Sequence, residues 1–334
     1  MKDRDSLEVF ISFQAVIKVF EEKIIQGCWI SKREALRIPF IAGPDIFYLF
    51  ASANTIRNRF RGNKVGLCSI INAKSGLCSE DCSFCAQSSK SKAKIEVYPL
   101  LKKKIVLQKA AEAKNAGAKR FSIVTSGRNI LPKDLMKIAD MIFFIKEIGL
   151  SPCASLGLLN EDALLVLKQA GLDRYHHNLE TSESLFSQIC TTHSYIDKVN
   201  TIKAAQSVGL SICSGGLFGL GESWEDRIDM AFALRELDVD SVPINFLIPI
   251  GGTISGNNDL LHPFEALKIL SLFRFILPQK EIRICGGRMQ VLGEFHALIF
   301  AAGADGMITG NYLTTLGRSP KDDLKLIEQC GLFA

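Results

Sequence analysis

A (β/α)8 TIM-type barrel with an N-terminal helical extension is the fold predicted for this chain, and three observations predict it. From Val65 onward, eight short β-rich runs alternate with amphipathic helical stretches. The helices repeatedly stop at a glycine, as a left-handed C-terminal cap requires. A length of 334 residues suits one such α/β barrel around one core.

Taken in order, residues 1–61 form the extension, because apolar helical periodicity runs through Leu7–Ile25 and Phe47–Phe60 and no linker or low-complexity tract sets them apart. They are expected to pack on the barrel, with a dimer contact or a lid as alternatives. The barrel occupies residues 62–334. Its predicted strands are Gly66–Asn72, Arg120–Thr125, Ser151–Leu156, Arg174–Leu179, Ser211–Leu217, Val242–Ile248, Ile282–Gly286 and Gly306–Gly310. The predicted helices between them are Lys102–Ala116, Lys133–Ile148, Glu161–Ala170, Tyr195–Val208, Trp224–Leu237, Pro263–Leu277 and Met289–Ala302, and Lys321–Cys330 closes the series. Asn160 stands where an N-cap belongs, and Pro263 where a first-turn proline is tolerated.

The composition narrows the function classes. A 47% hydrophobic and 22% charged chain is globular, and no apolar run approaches the roughly 18 residues that cross a bilayer. The net charge of +5 is modest, and its densest basic run, Lys102-Lys103-Lys104, reads as a solvated helix start. Nucleic-acid binders instead concentrate basic residues on one face. Neither nucleic acid nor membrane is therefore expected as a partner. The opening Met-Lys-Asp-Arg-Asp carries both signs of charge and leads into no apolar signal region, so a cytoplasmic location with reduced thiols is expected.

The most informative motif is Cys78-Ser-Glu-Asp-Cys-Ser-Phe-Cys85, a Cys-x3-Cys-x2-Cys triplet. Cys78, Cys82 and Cys85 offer an iron cube three thiolates and leave its fourth iron open to a small molecule, whereas a structural tetrahedral site fills every position. A zinc ribbon would need a second Cys-x2-Cys pair about 15–20 residues away, and none follows. The triplet comes after the first strand, which places it on the barrel face where such enzymes carry their active sites.

The segment from Ile71 to Ser88 resembles the cluster loop of the radical S-adenosylmethionine (SAM) superfamily, and within it the biotin synthase family. Tyr175-His-His-Asn-Leu-Glu-Thr181, Cys213-Ser-Gly-Gly-Leu-Phe-Gly-Leu-Gly-Glu222, Val242-Pro-Ile-Asn-Phe246 and Arg283-Ile-Cys-Gly-Gly-Arg288 resemble segments of that family in the same order. The resemblance implies that Cys78, Cys82 and Cys85 hold a 4Fe–4S cluster whose open iron is chelated by SAM. Phe84 then lies near the adenine, and the Gly215–Glu222 stretch, including Gly219 and Glu222, forms the adenine shelf. Glu180 falls at the position for the SAM ribose and Lys198 at that for its carboxylate. Asn178 and Asn245 match asparagines that bind SAM and the substrate ring, and an amide suits a cyclic urea because it carries both donor and acceptor. His176 and His177 are adjacent on a strand, point to opposite sides and cannot form a joint metal site. The implied reaction is sulfur insertion into dethiobiotin to give biotin, with two SAM consumed. The resemblance further implies an auxiliary iron–sulfur cluster as sulfur source, an electron donor such as flavodoxin or ferredoxin, and a homodimer.

The chain departs from that pattern at one ligand. The family's auxiliary two-iron (2Fe–2S) cluster is held by three cysteines and an arginine, and Cys153, Cys213 and Arg283 match three of the positions. The fourth is Ser122, a poor iron ligand beside thiolates. Either that cluster is incomplete or its ligands have moved. Cys68 and Cys285 offer a replacement, because Cys68, Cys153, Cys213 and Cys285 fall on the first, third, fifth and seventh strands, and inward residues of alternate barrel strands form four-membered layers. Such a set suits a four-iron auxiliary cluster, with Arg283 one step deeper. Cys28, Cys190 and Cys330 are read as core-filling cysteines. Two other classes compete: another radical SAM barrel of the hydrogenase-maturase or amino-acid-mutase kind, and a non-catalytic iron–sulfur or redox-sensing module. The first has no need of Cys153 and Cys213, and the second none of the Asn178 and Asn245 shelf.

Overall fold

The computed structural model describes residues 12–334, so the Leu7–Ile11 part of the first predicted helix lies outside the described residues. The strands are β1 (Gly66–Lys74), β2 (Arg120–Thr125), β3 (Ser151–Ser155), β4 (Arg174–His176), β5 (Ser211–Cys213), β6 (Gly216–Phe218), β7 (Ser241–Phe246), β8 (Glu281–Ile284) and β9 (Gly306–Ile308). All pair in parallel, in the order β5-β4-β3-β2-β1-β9-β8-β7-β6. A further pairing of β5 with β7 closes the ring. The result is an eight-position (β/α)8 barrel whose fifth position is shared by β5 and β6.

The fifth strand, expected unbroken from Ser211 to Leu217, is interrupted at Ser214 and Gly215, and the cause lies on its neighbour. Pro243 stands inside β7 opposite the gap and has no N–H to give the ladder. A Cβ on Gly215 would lie 2.0 Å from the Pro243 carbonyl oxygen, so only glycine allows this approach. The Gly215 amide turns to the side chain of Asn178, which accepts it at 3.2 Å. Backbone repair thereby aims a polar side chain at the barrel mouth.

Several helices begin at caps written in the sequence. Asn160 accepts the Ala163 amide at 3.1 Å, and Ser194 with Asp197 and Ser223 with Asp226 complete capping boxes. The expected helix Met289–Ala302 is instead three short pieces, because Gly293 adopts φ +50° and ends the first of them at Leu292. A helix absent from the sequence reading, Glu183–Ile189, follows the cap Ser182. Outside the barrel, helices Phe13–Ile25 and Asp45–Arg61 bury Ile17, Phe20, Leu49 and Ile56 in the common core with helix Pro263–Ile276. Arg61 pairs with Asp305 at 2.7 Å, which ties the Asp45–Arg61 helix to the base of β9. Among the described residues, no helix is long and apolar enough to cross a membrane.

Candidate active site

A cavity of about 340 Å³ opens among the loops at the strand C-terminal ends and runs down into the barrel. Its upper wall carries Phe84, Asn178, Glu180 and Asn245, and Tyr312 and Thr315 also line it. Its deeper wall carries Cys68, Ser122, Cys153, Cys213, Arg283 and Cys285.

The cysteine loop leaves β1 just past a register shift between Asn72 and Lys74, a local bulge that redirects the chain. Gly76 and Leu77 both take positive φ, +76° and +51°, and Leu77 is left 76% exposed. The loop is then cinched on itself: the Cys78 amide donates to the Gln87 carbonyl at 3.0 Å, and the Cys85 amide to the Cys82 carbonyl at 3.0 Å. The Gln87 side-chain oxygen accepts from Asn72 and from the Gly76 amide, each at 3.2 Å. Cys78, Cys82 and Cys85 are partly buried free thiols, and the loop brings Phe84 to the cavity wall.

Asn178 and Glu180 follow β4, with the Asn178 amide 3.3 Å from the Glu180 carboxylate. Glu180 has φ +72°, a conformation that non-glycine residues seldom adopt and that persists only where surrounding structure enforces it. Asn245, on β7, donates to the Gly216 carbonyl at 3.1 Å and accepts the Gly286 amide at 3.0 Å. It is thus a strap across three barrel positions as well as part of the cavity wall. Lys198 is buried, donates to the Asn178 carbonyl at 3.1 Å, and lies outside the cavity lining. Glu222 is likewise set back from the cavity: its carboxylate accepts the amides of Gly219 and Leu220 and pairs with Arg227 at 2.9 Å. It folds the glycine loop upon itself, and Gly219 takes φ +101° there.

In the deeper ring, burial pushes the Cys68 thiol up to about 12 and the Cys285 thiol well above its usual value, while the charge of Arg283 works against burial in both. Cys153 and Cys213 are raised for the same first reason. No three of these four sulfurs come within 4.8 Å of one another, so they form no site for a single ion. Beneath it, Glu281 accepts from Arg174 at 2.8 Å and from Arg283 at 2.5 Å. Arg283 Nε is buried without a partner, an unmet donor on a cavity-lining side chain. A ring of buried thiols facing a fixed cation fits an anionic metal–sulfide group.

Two family models match the chain: the radical SAM superfamily over residues 74–234 and the biotin and thiamin synthesis associated domain over residues 243–333. Biotin synthase from Thermodesulfovibrio yellowstonii is 57% identical over 86% of this chain and 90% of its own. Biotin synthase from Pelobacter propionicus is 47% identical over 93% and 95%. The chain belongs to the biotin synthase family. Solved structures add the fold alone: methylornithine synthase at TM-score 0.83 and 21% identity over 94% of this chain and 96% of its own, and the FeFe-hydrogenase maturase of Carboxydothermus hydrogenoformans at 0.79 and 17% over 95% and 78%.

In this family member the cavity also holds His176, which sequence reasoning weighed only as half of a joint metal site with His177 and gave no place in the cavity. His176 lines it, with Nδ1 3.3 Å from Cys213 Sγ, and burial lowers its imidazole to about 4 and keeps it neutral. Its two-residue spacing from Asn178 within the predicted strand Arg174–Leu179 was the available signal. His177, on the other side, is buried and shares no site with it, in line with the pleat. The three cysteines expected in the core are not there alike: Cys28 and Cys330 are exposed, because one follows the Gly27 turn and the other ends the last helix. Cys190 is buried, yet it sits beside the cluster loop, 3.8 Å from Cys82 Sγ. That contact pushes the Cys82 thiol up and pulls the Cys190 thiol down.

Proposed function

We propose that this chain makes biotin from dethiobiotin by radical SAM sulfur insertion, in the cavity described above. The observation that carries the reading is that one cavity joins Phe84 of the cysteine loop, the amides of Asn178 and Asn245, and a ring of buried thiols. When bound, a 4Fe–4S cluster on Cys78, Cys82 and Cys85 supplies the open iron and the electron that cleave SAM to a 5′-deoxyadenosyl radical, and an auxiliary cluster in the thiol ring supplies sulfur.

The protein's own part is to hold, orient and keep dry. Phe84 and the Gly215–Phe218 backbone flank the adenine, Glu180 accepts from the ribose, and Lys198 acts on the SAM carboxylate side through its contact with Asn178. Gly219 and Glu222 shape the shelf edge. Asn245 and Asn178 bind the ring urea with the hydrogen-bonding capacity that their backbone contacts leave free. The narrow barrel interior excludes water, so a reactive carbon meets only the groups that the wall presents. Cys68, Cys153, Cys213 and Cys285 hold the auxiliary cluster as a four-iron form, Arg283 balances its charge, and Ser122 takes no ligand role. In the same reading residues 62–334 are the catalytic barrel and the N-terminal helices its extension, the enzyme works as a cytoplasmic homodimer, and a flavodoxin or ferredoxin brings the electrons.

The test is anaerobic: reconstituted, reduced protein is given SAM and dethiobiotin, and 5′-deoxyadenosine and biotin are measured. Both are expected from the wild type and neither from Cys78→Ala. Equal 5′-deoxyadenosine from the variant overturns the assignment of the loop, and 5′-deoxyadenosine without biotin overturns that of the substrate.

A further inference from the structure

Cys82, Cys190 and His193 stand within 4.8 Å of one another, the one group of this kind among the described residues. They come from two distant segments, the cluster loop and the end of the Glu183–Ile189 helix. We propose that in cluster-free protein these three side chains bind a single thiophilic divalent ion such as zinc, and that this ion excludes the four-iron cluster because both use Cys82.

The spacing is that of a tetrahedral site. Two thiolates at ~2.3 Å from zinc lie about 3.8 Å apart, and a thiolate and an imidazole nitrogen about 3.6 Å apart. Cys82 and Cys190 Sγ are 3.8 Å apart, and the His193 ring nitrogens lie 3.2 and 3.9 Å from Cys190 Sγ. Glu80 holds the imidazole at Nδ1, 2.5 Å away, the same nitrogen that lies 3.2 Å from Cys190 Sγ, and Nε2, 3.9 Å from that sulfur, is the ring atom left for the ion in a carboxylate–histidine–metal arrangement. Phe186 packs edge-on against the ring, with centroids 5.5 Å apart. Asp81 approaches Cys190 at 3.3 Å but is already engaged by the amides of Thr191 and Thr192, so it positions the thiol and leaves the fourth ligand to water. Ion binding needs only these residues, whereas the exclusion rests on the cluster loop holding its cluster. Two separate measurements therefore address them.

In the first, cluster-free protein is titrated with Co²⁺ under argon, and the sulfur-to-cobalt charge-transfer and tetrahedral d–d bands are recorded. One equivalent is expected to bind, with affinity at least about 10-fold lower in Cys190→Ser, in His193→Gln and in Glu80→Gln, and unchanged in Cys78→Ser and Cys85→Ser. Wild-type binding by both Cys190→Ser and His193→Gln, or loss of it in Cys78→Ser, overturns the site. In the second, one equivalent of Zn²⁺ is added before iron and sulfide. Cluster formation should slow in the wild type and not in Cys190→Ser, and equal rates in both overturn the exclusion. Failure of the zinc-free wild type to build any cluster would instead count against the cluster-loop reading.

Discussion

Replacing Glu281 with glutamine tests whether the floor of the cavity is held by charge. Glu281 is the shared counter-ion of Arg174 and Arg283, and the three side chains are only 11%, 9% and 4% exposed. Burial alone would raise its carboxyl pKa, but the charges of Arg283 and Arg174 outweigh burial and hold it below the usual range. Glu281→Gln keeps one acceptor oxygen and turns an N–H toward a guanidinium, so a buried cation loses its partner. Removing one member of a buried pair costs about 3–5 kcal/mol. With a urea dependence of about 3 kcal/mol per molar, the unfolding midpoint of cluster-free protein should fall by about 1–2 M. The double variant with Arg174→Gln should lose less than the sum of the two single variants, since neighbours in one network couple. The pH profile has a definite sign. A depressed folded pKa means the stabilisation is complete above the unfolded value of about 4.3 and drains as pH falls toward the folded value. The wild type should therefore lose stability on acidification below about pH 5 more steeply than the variant. An unchanged midpoint at neutral pH, or parallel acid profiles, would refute the reasoning.

The remaining predictions concern the site itself. Cys68→Ala and Cys285→Ala should each lose auxiliary iron while SAM cleavage survives; Mössbauer spectra and iron counts read the outcome, and a retained two-iron spectrum with biotin formation would return the ligand role to Ser122, Cys153, Cys213 and Arg283. Asn245→Ala should weaken dethiobiotin binding more than SAM binding, and it should also destabilise the fold by about 1–3 kcal/mol for each backbone group stranded at Gly216 and Gly286. Calorimetric titration with each ligand, alongside urea unfolding, separates the two effects. Asp305→Asn should cost about 3–5 kcal/mol in urea unfolding, because fully buried Arg274 depends on that carboxylate for its charge partner.

The barrel could be read from the chain because its signals are local. Alternation of β-rich and amphipathic runs, a cap such as Asn160, a first-turn proline such as Pro263 and stopping glycines act within a few residues, and the spacing of Cys78, Cys82 and Cys85 marks a metal loop wherever it folds. The two-residue period of a strand likewise put Arg283 and Cys285 on one face, and both line the cavity. What tertiary structure alone decided depends on partners far apart in sequence. The break in the fifth strand comes from Pro243 on its neighbour, and Asn178 gained a backbone partner as a result. Glu281 meets Arg174 across 107 positions, and Cys190 meets Cys82 across 108. No periodicity records such meetings, because each is set by which barrel strands and loops become neighbours when the ring closes. Cys190 therefore looked like any core cysteine until the fold placed it against the cluster loop.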